Sequence, residues 1–107
     1  MAMGDVIKLP RSVSGTKLME AIEDAASKLG WYYEKLLDHY SVSPGSAKVE
    51  PGSFQLNIKT RRILGNHVKI FITPELEYKS ITLYGTYGFN KKNLEMFATT
   101  LYSLLGQ

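Results

Sequence analysis

The second half of the chain alternates apolar and polar residues with a period of two, three times over. Phe54, Leu56, Ile58 and Thr60 alternate with Gln55, Asn57, Lys59 and Arg61. Val68, Ile70 and Ile72 alternate with His67, Lys69, Phe71 and Thr73, and Ile81 and Leu83 with Thr82, Tyr84 and Thr86. Successive side chains of a strand point to opposite faces, so this pattern demands a sheet covered on one side only. Any fold for the chain must supply a cover for one face and leave the other open.

The cover is legible as two amphipathic helices. Leu18, Ile22, Ala25 and Leu29 recur at helical spacing, with Ala21 widening the stripe. Ser14 or Thr16 can cap the start, and Gly30 suits the left-handed position just past the end. A last helix is expected from near Asn90 to the C-terminus, with Leu94, Phe97, Ala98, Leu101, Leu104 and Leu105 as its stripe. Before the first helix, Asp5 to Leu9 reads as a short strand stopped at Pro10, with a loop over residues 11–15. Residues 31–42 suit helix or strand; the Gly30 stop and the aromatic content favour a strand.

The expected order is β-α-β-β-β-β-α: an α+β fold with a single antiparallel sheet of about five strands and two helices on one face. The order resembles one repeat of the TATA-binding-protein fold. That resemblance is one of topology; it implies an architecture and brings no function or residue role with it. At 107 residues, with no linker or repeat, one domain spanning 1–107 is expected. Its core should comprise Ile7, Leu18, Ile22, Leu29, Leu56, Ile58, Val68, Ile70, Ile72, Ile81, Leu83, Leu94, Phe97 and Leu101.

Charge separates the two halves. Residues 1–50 carry six basic and seven acidic side chains, a net −1; residues 51–107 carry seven and three, a net +4. The excess positive charge lies entirely in the second half, which also holds the alternating strands. An odd-length turn keeps the apolar residues of two paired strands on one side. A three-residue turn Ile63-Leu64-Gly65, with glycine left-handed, would oppose Leu56 to Ile72, Ile58 to Ile70 and Thr60 to Val68. The open face would then carry the rows Asn57-Phe71-Thr82, Lys59-Lys69-Tyr84 and Arg61-His67-Thr86. Directly opposed lysines are unfavourable, and an anion between them would relieve the repulsion.

This reading makes Asn57, Lys59, Arg61, His67, Lys69, Phe71, Thr82 and Tyr84 the candidate binding face. Large aromatics on an uncovered sheet suit a protein partner or a second copy of the chain, so a protein–protein or self-association module leads. Single-stranded nucleic acid or another polyanion is the alternative, with cations on phosphates and Phe71 and Tyr84 as stacking surfaces. A pocket for a small apolar ligand, lined by Tyr32, Tyr33, Tyr40 and Tyr102, is the third reading.

Other motifs are explained more simply. Ser14-Gly15-Thr16-Lys17 opens a helix but lacks the phosphate-loop pattern, so capping accounts for it. His39 and His67, the only histidines, have no ligand spacing around them, and the chain has no cysteine. No metal or cofactor is expected. Glu75 and Glu77 read as a solvated turn, and Lys91 and Lys92 as the exposed start of a helix. With no catalytic constellation, no enzymatic activity is expected. The longest stretch free of charge, Met96 to Gln107, has twelve residues, too few to span a bilayer. With no secretory pattern at Met1 to Pro10 either, a cytoplasmic protein making no membrane contact is the expectation.

Overall fold

The structure is a computed structural model that describes residues 4–37, 52–61, 67–85 and 91–106. The elements are β1 (Gly4–Ser14), α1 (Gly15–Lys28), β2 (Tyr32–Leu37), β3 (Phe54–Lys59), β4 (His67–Ile72), β5 (Glu77–Gly85) and α2 (Lys91–Leu105). All neighbouring strands are antiparallel and form one sheet in the order β1-β5-β4-β3-β2. The α+β class and the element order are those read from the sequence.

The helices cover one face. Leu18, Ile22 and Ala25 of α1 and Phe97, Leu101 and Leu105 of α2 share one buried cluster with Leu56, Ile58, Val68, Ile70, Ile72, Ile81 and Leu83 of the sheet. Burying each of these large side chains contributes about 1.5–3 kcal/mol, so the face they share is fixed firmly. Leu29 and Leu94, expected inside, are only partly buried at the edge of the cluster. Val13, Met19, Ala26 and Leu105 are buried although the sequence reading left them out of the core.

Ser14 caps α1, its hydroxyl accepting from the Lys17 N–H at 3.2 Å. Gly30, at φ 74°, ends it. There the Gly30 N–H donates to the Ser27 carbonyl and the Trp31 N–H to that of Ala26, the paired bonds of a left-handed C-terminal cap. The chain thus turns at once into β2, and Trp31 stacks on Phe97 at 6.4 Å between ring centres.

Two expectations need correction. Pro10 does not end the first strand: β1 runs on to Ser14, and its register on β5 shifts between Lys8 and Val13. Residues 9–12 form the extra length, and a proline without a donor fits such an irregularity. The β3–β4 register keeps the expected faces but is slid by two residues: Leu56 opposes Ile70, Ile58 opposes Val68, Asn57 opposes Lys69 and Lys59 opposes His67. The described part of that ladder ends at Lys59 and His67; the expected turn Ile63-Leu64-Gly65 is outside the described residues. Residues 32–37 are a strand, as favoured; the rest of the 31–42 segment, with His39 and Tyr40, is outside the described residues, as are Thr86 and Asn90.

Candidate functional site: the open sheet face

The face without helices is built from alternate residues of all five strands. Its central row is Glu34-Asn57-Lys69-Tyr84, ending opposite Gly4 on β1. Beside it run Leu36-Gln55-Phe71 on one side and Tyr32-Lys59-His67 on the other. Val6 opposes Thr82, and Lys8 opposes Ser80, on the β1–β5 side.

This arrangement revises the expected rows. Lys59 and Lys69 share the open face but are diagonal neighbours, not opposed, so the direct repulsion that called for an anion is gone. Lys69 does lie beside Tyr84, as expected. Phe71 faces Gln55 rather than Asn57, and Asn57 faces Lys69. The β4–β5 ladder pairs Val68 with Gly85 and Lys69 with Tyr84, which is the register expected from the sequence. Arg61 is exposed in the bend just past β3.

Each cation on β3 and β4 has an aromatic neighbour. Tyr32 lies directly across from Lys59, and Tyr84 directly across from Lys69. Phe71 meets Tyr84 edge-on, with ring centres 6.0 Å apart and planes at 62°. Tyr32 is 48% exposed, while Phe71 and Tyr84 are partly buried by their neighbours.

A polar network crosses the β2–β3 seam. Gln55 Nε2 donates to Asn57 Oδ1 at 2.8 Å, and Asn57 Nδ2 donates to Glu34 Oε1 at 3.1 Å. Asn57 is only 8% exposed, because Gln55, Glu34 and Lys69 close around it. It acts as a brace under the face more than as a free contact. Among the described residues, Lys8, Lys59 and Lys69 outnumber Glu34 on this surface, with Arg61 just past the end of β3.

Sequence reasoning missed Tyr32, Glu34, Leu36, Val6 and Lys8. The alternation of β3 already assigned Gln55 to this face, and that signal went unused. The partners of β2 could not be found the same way, because a long connection separates it from β3 and fixes no register.

The other candidates are occupied or scattered. At the start of α1 the Gly15 N–H donates to the Leu76 carbonyl at 2.7 Å and the Thr16 N–H to that of Pro74 at 3.2 Å. With Lys17 held by Ser14, the first donors of the helix are spent on the protein itself, leaving none of the three for a phosphate. Glu77 accepts from the Ser12 hydroxyl at 2.8 Å, and Glu75 is exposed. Among the described residues no three His, Asp or Glu side chains gather as metal ligands. No described helix is long and apolar enough to cross a membrane. Of the four tyrosines considered as a pocket lining, Tyr32 is on the open face, Tyr102 is exposed on α2, and Tyr33 lines a groove between α1 and β2; Tyr40 is outside the described residues.

That groove measures about 220 Å³ and includes Glu20, Glu23, Lys35 and Phe54. Lys35 Nζ already lies over the Phe54 ring, 5.2 Å from its centre. Burial, aided by the Glu23 carboxylate, pushes the Tyr33 phenol up to about 12. A tyrosine held neutral and a lysine already seated on the neighbouring phenylalanine ring describe a packed seam between helix and sheet.

No known protein family, curated protein or solved structure matches the chain.

Proposed function

We propose that the chain is a non-enzymatic binding module that holds single-stranded nucleic acid on the open face of its sheet. The observation that carries this reading is the interleaving of Tyr32, Phe71 and Tyr84 with Lys59 and Lys69 across three adjacent rows. Splayed bases stack on rings, and phosphates pair with cations; both needs are met at strand-to-strand spacing. Arg61 and Lys8 extend the positive field beyond the rings.

The charge balance also weighs on the competing reading of self-association. Two copies meeting face to face would bring Lys8, Lys59, Arg61 and Lys69 against the same four cations, with one Glu34 each to offset them. Like charges brought together in a desolvated interface suppress association. A different protein partner is the second reading, favoured by Val6 and Leu36, which are 60% and 44% exposed at the flanks of the face.

Fluorescence anisotropy with labelled DNA and RNA single strands tests the proposal. Lys59→Ala with Lys69→Ala should weaken binding and flatten its salt dependence, by about 0.7 in log–log slope for each phosphate left unpaired. Tyr84→Ala should cost about 1–3 kcal/mol if a base stacks there. Affinity for every oligonucleotide unchanged by these substitutions would overturn the reading.

A further inference from the structure

The open face is not flat. Where β2 meets β3 it dips into a hollow of about 170 Å³ lined by Tyr32, Tyr33, Glu34, Asn57 and Lys59. Among the described residues Glu34 is the one carboxylate on this face, and it is fixed in place. Its Oε1 accepts from Asn57 Nδ2 at 3.1 Å, and Asn57 is held in turn by Gln55 at 2.8 Å. An ionised carboxylate has about four lone-pair sites, so one amide bond leaves most of its accepting capacity unused. Lys59, one step diagonally across the seam, brings a donor to the same hollow. Tyr32 brings an exposed ring.

One donor beside two acceptor oxygens is a pattern that the bases answer differently. The pairing edge of guanine presents O6, N1–H and the N2 amino group: an acceptor followed by two donors. Cytosine presents a donor and two acceptors, uracil a donor between two acceptors, and adenine a donor and an acceptor. Only guanine offers two neighbouring N–H groups to a single carboxylate while its carbonyl faces a cation.

We propose that this hollow is a guanine subsite on the strand-binding face: Glu34 accepts from N1–H and N2–H, Lys59 donates to O6, and Tyr32 supplies the stacking wall. Asn57 is a positioning residue that holds the carboxylate. The subsite rests on the nucleic-acid reading above and gives that reading a sequence preference.

The test is anisotropy with labelled uridine oligonucleotides carrying one central guanine, adenine, cytosine, uracil or hypoxanthine. Bidentate reading of one base predicts about tenfold tighter binding for guanine, with hypoxanthine, which lacks the N2 amino group, in between. Glu34→Gln, folded by circular dichroism, should abolish the preference for guanine over the other four bases. Equal affinity for all five strands, or a preference that survives Glu34→Gln, would overturn the subsite while leaving strand binding intact. Failure to bind any strand would overturn both.

Discussion

At the scale of single residues, Tyr33 is one whose chemistry the fold alters. Partly buried between α1 and β2 and facing the Glu23 carboxylate, its phenol is raised from 10.0 to about 12. The neutral form is therefore favoured in the folded state. The stability this gives is complete below pH 10 and is lost as pH rises toward 12, because the unfolded chain releases its proton first. For a ring that still meets solvent the loss should be about 1 kcal/mol after allowance for screening. Denaturant titrations between pH 9 and 11.5 should show this decline in the wild type and a shallower one in Tyr33→Phe; parallel declines would contradict it. Ser53 makes the opposite kind of statement. It is 1% exposed, and its hydroxyl finds no hydrogen-bond partner among the described residues. A buried hydroxyl without a partner costs about 1–3 kcal/mol, so Ser53→Ala should be neutral or stabilising in urea unfolding. A loss of more than about 1 kcal/mol would mean that the hydroxyl is bonded after all. Neither residue announces itself in the sequence: a tyrosine in a strand says nothing of the carboxylate that a helix brings to it.

At the scale of elements, the junction of α1 with the β4–β5 turn leaves no room beside Gly15. A methyl group on Gly15 would collide with the Thr73 carbonyl and sit 2.9 Å from Pro74 Cα. Helix propensity alone predicts that Gly15→Ala gains up to about 1 kcal/mol. Overpacking against rigid backbone predicts a loss of about 1–3 kcal/mol, and it should win because neither neighbour is a flexible side chain. Thermal unfolding should then show a lower Tm for Gly15→Ala; a higher one would mean the turn can yield. The elements differ in how well they could be read beforehand. Leu18, Ile22, Phe97 and Leu101 betrayed both helices, because a stripe at helical spacing depends only on neighbours along the chain. The faces of β3, β4 and β5 were equally plain. The β3–β4 register was not: alternation fixes parity, and the number of residues left in the connection fixes the rest. Pro10 misled for a similar reason. Its missing donor disqualifies it from a regular ladder, but β1 carries it through an irregular stretch and then pairs again at Val13.

At the scale of the molecule, two helices cover one side of five strands, and among the described residues the other side carries Lys8, Lys59 and Lys69, the rings of Tyr32, Phe71 and Tyr84, and the braced carboxylate of Glu34. The presence of an open basic face was legible from the alternation and the charge of the second half. Half of its composition was not. Tyr32, Glu34 and Leu36 arrive from a strand whose partner is fixed only in three dimensions. That strand changes the chemistry: it sets an aromatic ring beside Lys59 and adds an acceptor to a surface of donors. Because the face carries a net positive charge, the protein should sediment as a monomer at low salt without ligand, when repulsion between copies is least screened. A dimer under those conditions would favour self-association.

The most direct measurement is an amide chemical-shift map during titration with a single-stranded oligonucleotide. Perturbations should concentrate at residues 32–36, 55–59, 67–71 and 82–84, with the outer surfaces of α1 and α2 silent. Shifts centred on the helices, or no shifts with any strand, would contradict it.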